Sequence, residues 1–404
     1  MKAALGSLFF LFFTMGCSTF QEAGLYDQKA PVDNQPGING FYQVNIFQDA
    51  YSADVWFSKE PACVQVAFET KEVKHGDGAI SIKWDKQAAD CAWIGMGFGW
   101  DNWTGKDISN ITKTAAVSFW AKSKKGASKG LPWAIGFEDF VGNQSWTGVT
   151  ADCVKGGIIG DSWTEVVIPL ERFHLDDAEI DPSTIKQLIF QFESSGSVWI
   201  DEISIVPYVP VGPKVMVATA SAGIDIDGSI SAGEWADSSF ILECGIVKIS
   251  SDNDYLYIGG KIKDKSAFVN MQKGKDIWNG DAVELAFSTS STADPKRRIY
   301  YNTDEHIGIQ LGGSFEIYDW QEGKQVTGVE LKHTVAGDSV SFEAKIPWSS
   351  LAAKPWTKGN QYGIEVAIDQ GAADGNRENQ FRWNTPGREG FNTDPSVWGI
   401  LKVN

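Results

Sequence analysis

Val198-Trp199-Ile200-Asp201-Glu202-Ile203-Ser204-Ile205 packs β-branched and aromatic residues into eight positions with polar residues interleaved. Ser and Gly precede the run and Pro207 follows it. A short apolar run bounded by turn formers reads as a strand. Val64-Gln65-Val66-Ala67-Phe68, Ala79-Ile80-Ser81-Ile82-Lys83-Trp84 and Ala116-Val117-Ser118-Phe119-Trp120 follow the same period. So do Tyr255-Leu256-Tyr257-Ile258, Ala282-Val283-Glu284-Leu285-Ala286-Phe287 and Val340-Ser341-Phe342-Glu343-Ala344. Gly, Asn, Asp and Ser cluster between them. No long helical period is present; short helical turns are expected near Pro182-Ser183-Thr184-Ile185 and Trp348-Ser349-Ser350-Leu351. Many short strands at this spacing predict an all-β chain of two tandem β-sandwiches of jelly-roll or Ig-like type.

The Pro-dense stretch Val206-Pro207-Tyr208-Val209-Pro210-Val211-Gly212-Pro213 cannot form a central strand and divides the chain. The expected organisation is a leader over 1–17, a tether over 18–39, a first domain over 40–207, a linker over 208–213 and a second domain over 214–404. Met1-Lys2 and the apolar Leu8-Phe9-Phe10-Leu11-Phe12-Phe13 have the charge and length of a signal peptide and are too short to span a bilayer. Thr14-Met15-Gly16-Cys17 resembles the bacterial lipoprotein cleavage box, with Thr14 in place of the usual Leu. That resemblance implies lipidation at Cys17 and an exported chain, at the outer membrane or cell surface, held by its lipid or released. The competing reading is an ordinary signal peptide. The polar, Pro/Gly-containing residues 18–39 suit a tether.

The net charge of −17 excludes nucleic acid as a natural partner, because phosphate binding needs a basic face. The 17 Trp exceed the needs of two cores, so some indoles are expected at a ligand surface. Of the 5 Cys, those other than Cys17 have no zinc spacing. A disulfide among Cys63, Cys91 and Cys153 and buried free thiols both remain open. Trp100 and Trp103 sit in Trp93-Ile94-Gly95-Met96-Gly97-Phe98-Gly99-Trp100-Asp101-Asn102-Trp103, and Trp146 in Gly142-Asn143-Gln144-Ser145-Trp146. In such turns burial is hard, so these rings are the first domain's expected ligand platforms, against the alternative that they pack inward.

Phe47-Gln48-Asp49, His75-Gly76-Asp77-Gly78-Ala79-Ile80-Ser81-Ile82, Trp163-Thr164-Glu165-Val166-Val167-Ile168-Pro169-Leu170 and Val198–Ile203 stand in an order that resembles jelly-roll carbohydrate-binding modules with a galactose-binding-like fold. The resemblance implies a structural calcium, with Asp49 and Asp201 as its acids and carbonyls near Lys74 completing it.

Ile226-Asp227-Gly228-Ser229-Ile230-Ser231-Ala232-Gly233-Glu234-Trp235, Ile277-Trp278-Asn279-Gly280-Asp281-Ala282-Val283-Glu284 and Trp398-Gly399-Ile400-Leu401 make the second domain similar to family 9 carbohydrate-binding modules and DOMON-like sandwiches. Asp225, Asp227, Gly228, Ile230 and Glu234 also mimic an EF-hand loop, but Gly223 holds its first position and no flanking helix is evident. The family 9 resemblance implies a sugar held between Trp278 and Trp383. Glu284, Gln380 and an Arg, at 297 or 298 and assigned to Arg298, would bond its hydroxyls. No paired acids sit at alternate positions of one strand and no His marks a nucleophile or metal. The expected function is non-catalytic binding of a polysaccharide, β-glucan or xylan. Two alternatives are a structural adhesion protein and a haem-binding redox protein using Met271 and His306.

Overall fold

The computed structural model describes residues 44–51, 54–100, 102–175, 179–218, 224–231, 233–236, 238–266, 268–388 and 390–404. Cys17, the leader and the tether lie outside the described residues. The chain divides into two compact units, one of residues up to Val149 with Cys153–Pro210, the other of Thr150–Asp152 with Val211–Asn404. Among the described residues no helix is long and apolar enough to cross a membrane.

The first unit contains β1 (Val44–Phe47), β2 (Val55–Phe57), β3 (Val64–Glu69), β4 (Ala79–Asp85), β5 (Gly95–Gly99), β6 (Ala115–Ser123), β7 (Leu131–Asp139), β8 (Gln144–Val149), β9 (Thr164–Pro169), β10 (Ile185–Phe192) and β11 (Ser195–Pro207). One sheet runs β3-β4-β11-β6-β9, with β1 also on β11; the other runs β2-β5-β10-β7-β8. Ile80, Ile82, Phe119, Ile168 and Ile200 from the first sheet meet Phe98, Ile135, Phe137, Phe190 and Phe192 from the second in one core. The strand period of two selects these faces. Cys63, before β3, is disulfide-bonded to Cys91, after β4. Cys153 and Cys244 take part in no disulfide among the described residues.

The second unit contains β12 (Val215–Ala218), β13 (Phe240–Leu242), β14 (Gly245–Ser251), β15 (Tyr255–Lys263), β16 (Ala282–Ser288), β17 (Asp304–Gln310), β18 (Ile317–Asp319), β19 (Lys324–Gln325), β20 (Glu330–Ala336), β21 (Ser339–Pro347), β22 (Gln361–Gly371), β23 (Arg377–Arg382) and β24 (Gly399–Val403). The larger sheet is β12-β24-β22-β16-β17-β18-β19 with β23 on β22, and the smaller is β13-β14-β15-β21-β20. Val283, Leu285, Phe287, Val366 and Ile368 pack against Ile258, Phe342 and Ile346 between them.

The EF-hand-like stretch is organised by a carboxylate from outside it. Glu343 Oε2 accepts the amide hydrogens of Asp227, Gly228 and Ser229, and its Oε1 accepts from Trp235 Nε1 at 2.8 Å. The helical turn expected at Trp348 is a 3-10 turn, Trp348–Ser350. That at Pro182 is a plain turn leading into β10. Strands β2, β5, β7, β8, β10, β14, β17, β20 and β22 are among those that escaped the sequence pattern. β5 alternates glycine with core residues and so lacks the side chains that signal a strand.

Candidate functional site

β5 reads Gly95-Met96-Gly97-Phe98-Gly99. Met96 and Phe98 enter the core, so by alternation the three glycines share the outer face. Each glycine lies beneath an indole. A Cβ built on Gly95, Gly97 or Gly99 would come under 3.0 Å from ring atoms of Trp93, Trp56 or Trp103 respectively. Glycine is required here for close approach, since none of the three has a positive φ.

The rings arrive from three places. Trp56 crosses from β2, where it pairs with Gly97. Trp93 precedes β5 and Trp103 follows it. Asn102 and Trp103 both adopt left-handed backbone, φ 56 and φ 61, each at a cost of about 1–2 kcal/mol for an L-residue. The Asn102 amide donates to Asp54 Oδ2 at 2.8 Å and anchors that turn. Trp56 Nε1 donates to Gln187 Oε1 and Trp93 Nε1 to Gln191 Oε1, both at 2.8 Å. The Trp56 and Trp93 ring centroids are 5.6 Å apart. Trp93 is 38% exposed; Trp56 and Trp103 are half-buried.

Trp146, on β8, lies across Gly136 of β7 in the same manner. Beside it Glu138 accepts from Gln187 Nε2 at 2.9 Å and from Gln144 Nε2 at 2.7 Å, and pairs with Lys186 at 2.6 Å. Flat apolar rings bordered by amides and one carboxylate suit a pyranose, whose C–H faces stack and whose hydroxyls need both donors and acceptors. Trp103 and Trp146 are half-buried and cover Gly99 and Gly136 on the outer face of one sheet. Trp100 lies elsewhere. It is 6% exposed, belongs to the core and donates Nε1 to the Ile185 carbonyl at 3.1 Å. Its parity matches Met96 and Phe98, which turns it inward. Trp56 was missed, and Trp93 was included in the expected stretch without being singled out; glycine at period two beside several Trp was the available signal.

Asp49 and Asp201 both reach the turn at Lys74–Gly78, but they meet its amides. Asp201 Oδ2 accepts from Lys74 N at 2.7 Å and His75 N at 3.3 Å, and its Oδ1 from Glu202 N at 2.8 Å. Asp49 Oδ1 accepts from Asp77 N and Gly78 N. Burial holds the Asp201 carboxyl above its ordinary range in spite of those bonds. A calcium ion needs several oxygens around it; three of the four carboxylate oxygens of Asp49 and Asp201 here accept backbone N–H groups and pin the turn. Among the described residues no group of three or more His, Cys, Asp or Glu is assembled for a metal.

In the second unit the outer face of the larger sheet carries a polar cluster. Glu284 on β16 contacts His306 Nε2 through Oε2 at 2.7 Å and accepts from Gln380 Nε2 through Oε1 at 3.1 Å. Gln380 also donates to Asp369 Oδ1 at 2.9 Å, as does Arg377 at 3.1 Å. Burial raises the Glu284 and Asp369 carboxyls. Asp369 Oδ2 is buried with no hydrogen-bond donor. Burial pushes His306 down to about 4. The His306–Glu284 contact is thus a hydrogen bond to a neutral imidazole, even though its geometry also meets that of an ion pair. His306 stacks on Trp320 at 4.4 Å.

Trp278 lies on the 3-10 turn Gly274–Asn279 rather than on β16, 38% exposed, with the Arg377 guanidinium 4.6 Å from its ring centroid. Gln272 and Asn279 donate to Asn376 Oδ1 beside it. Glu284 and Gln380 are brought together as expected, yet Glu284 is only 3% exposed. Trp383 is a core residue. It is 6% exposed and edge-on to Phe240 at 4.8 Å, and its ring covers Gly399. A clamp of Trp278 with Trp383 is therefore not formed; Arg377 is the group on Trp278. Arg298 is exposed in the segment between β16 and β17, which is no strand. Its neighbour Arg297 is buried against Asp304 at 2.6 Å. Met271 is 75% exposed, whereas His306 is buried on Glu284.

Two β-sandwiches, one with a row of indoles on an outer sheet face and one with a polar face beside an exposed Trp, define a tandem of carbohydrate-binding modules. Residues 43–207 match the model for carbohydrate binding domain 30, and residues 226–404 match that for the carbohydrate family 9 binding domain-like group. Each of the two halves thus matches a carbohydrate-binding family model, and the first match is more specific than the general jelly-roll resemblance implied. Among curated proteins no significant relative is found. A family 9 module from Caldicellulosiruptor kristjanssonii in complex with cellotriose is similar at 16% identity over 47% of this chain and 94% of its own, with a TM-score of 0.39. The family 30 module of a cellulosomal cellulase of Clostridium thermocellum is similar at 20% identity over 41% of this chain and 98% of its own, TM-score 0.36. A carbohydrate-binding protein from Bacteroides uniformis, described as putative, is similar at 13% identity over 48% of this chain and 100% of its own, TM-score 0.32.

Proposed function

We propose that the protein is a lipid-anchored, exported, non-catalytic binder that captures β-linked glucan or xylan chains at the bacterial cell surface. The observation that supports this most is the line of three indoles seated on Gly95, Gly97 and Gly99. Four residues of extended strand span about 13 Å, a strip long enough for two to three consecutive pyranoses. β-linked sugars with equatorial substituents present flat faces to such a strip. The strip follows the outer face of a sheet, so it suits an internal stretch of chain. In the second domain, Trp278 offers one open platform in place of a two-ring clamp, which removes the reason to expect recognition of a chain end there. Attachment rests on Cys17 and its resemblance to a lipidation site.

Affinity electrophoresis through gels containing hydroxyethylcellulose, xylan, laminarin or mannan tests the glycan. Retardation by the first or second is expected, and free migration through all four contradicts the proposal. Labelled palmitate should enter the wild-type protein and not Cys17→Ser; an unlabelled wild type contradicts the anchor.

A further inference from the structure

One cross-strand row joins four strands of the indole-bearing sheet. Gly97 on β5 lies opposite Ile189 on β10, Ile189 opposite Gly136 on β7, and Gly136 opposite Trp146 on β8. Trp56 covers Gly97 and Trp146 covers Gly136. The two rings are therefore seated two strands apart, about 10 Å at the usual interstrand spacing. Trp93, Trp56 and Trp103 follow the direction of β5, so Trp146 is set to the side of their line.

It is tied to that line by continuous hydrogen bonds. Trp56 Nε1 donates to Gln187 Oε1 at 2.8 Å, and Gln187 Nε2 donates to Glu138 Oε2 at 2.9 Å. Gln144 Nε2 donates to the same Glu138 oxygen at 2.7 Å, and Trp146 Nε1 donates to Gln144 Oε1 at 3.3 Å. Each side chain fixes the next, so the lateral ring is preorganised together with the central one. Trp146 is half-buried and stands apart from the core. A linear chain lying along β5 leaves Trp146, Glu138 and Gln144 unused.

We propose that these three residues form a lateral subsite for a pyranose carried about two sugar units off the axis of the main chain. The cleft is then selective for a bent or branched β-glucan over a straight one. This rests on the glycan reading of the β5 strip. Two ligand sources share the required chemistry: a chain bent at a β-1,3 linkage and a two-sugar side branch.

The test is calorimetry on the full chain, with Trp278→Ala present in every variant so that the second domain's platform does not contribute. The probes are cellohexaose, a mixed β-1,3-1,4-linked glucan hexasaccharide and a galactosylated xyloglucan oligosaccharide. Trp146→Ala should bind cellohexaose within about twofold of its parent and at least one of the other two about ten-fold more weakly, the loss expected for one stacked ring. Trp146→Phe should recover most of it. A loss confined to the mixed-linkage probe assigns the subsite to bent chains, and one confined to xyloglucan assigns it to branches. An equal loss on cellohexaose, or no loss on either of the others, overturns the proposal. Should Trp146→Ala fail to fold, Gln144→Ala, at an exposed side chain, reads the same distinction. Full affinity of Trp56→Ala for all three probes would sink the glycan reading of the strip itself.

Discussion

Trp278 and Trp383 were expected to do one job, and their surroundings give them two. Trp383 lies in the second core against Phe240. Trp383→Ala should therefore cost about 3–5 kcal/mol of stability, as large-to-small core changes do, measured by urea unfolding of the full chain. Trp278→Ala should change stability by less than about 1 kcal/mol and weaken sugar binding. A stable Trp383→Ala variant with lost binding would restore the clamp. Glu284 was legible in the sequence because period two puts it opposite Val283, Leu285 and Phe287, while Gln380 was reached only through the family 9 resemblance. The rest of the cluster was not. His306, Asp369 and Arg377 come from β17, β22 and β23, and only strand register brings them to Glu284. Trp383 follows the end of β23, where strand parity no longer says which way a side chain faces. Trp100 was within reach of the same parity rule; it continues the inward series of Met96 and Phe98.

β5 is the element on which the first site depends, and its glycines set the depth at which the rings sit. In Gly97→Val the added side chain would occupy the place of Trp56 Nε1 and Cε2. The ring must leave, and glycan affinity should fall about ten-fold, read by calorimetry alongside a melting curve. Unchanged affinity in a folded Gly97→Val protein would show that Trp56 does not touch the sugar. The alternation that revealed β4, β6 and β11 failed at β5 because glycine contributes no hydrophobic signal. The sequence thus disclosed the sandwich class, several of its strands and the Trp-rich stretch Trp93–Trp103, while the glycine strand within that stretch and the part of Trp56 stayed hidden.

For the molecule as a whole, the formal net charge of −17 counts in several carboxyls whose titration burial shifts upward. Burial raises Glu305 to about 8, with the nearby Asp319 adding to the shift, and raises Asp281 and Glu365 to about 7. A folded-state pKa above the unfolded one means the unfolded chain loses its protons first as pH rises. The stabilisation is complete below the ordinary carboxylate range and is lost on the way up to about pH 7–8. Growing self-repulsion acts in the same direction. The melting temperature should be higher at pH 5 than at pH 8, and Glu305→Gln should flatten part of the slope; a melting temperature that rises over this range would contradict these protonation states. The central claim, that indoles on a glycine strip hold a glycan, is tested most directly by calorimetry with a linear β-1,4-glucan oligosaccharide. The full chain carrying Trp278→Ala is compared with the same chain also carrying Trp56→Ala and Trp93→Ala. The account predicts about a hundred-fold weaker binding in the latter with the melting transition retained, and parental affinity in that folded variant would contradict it.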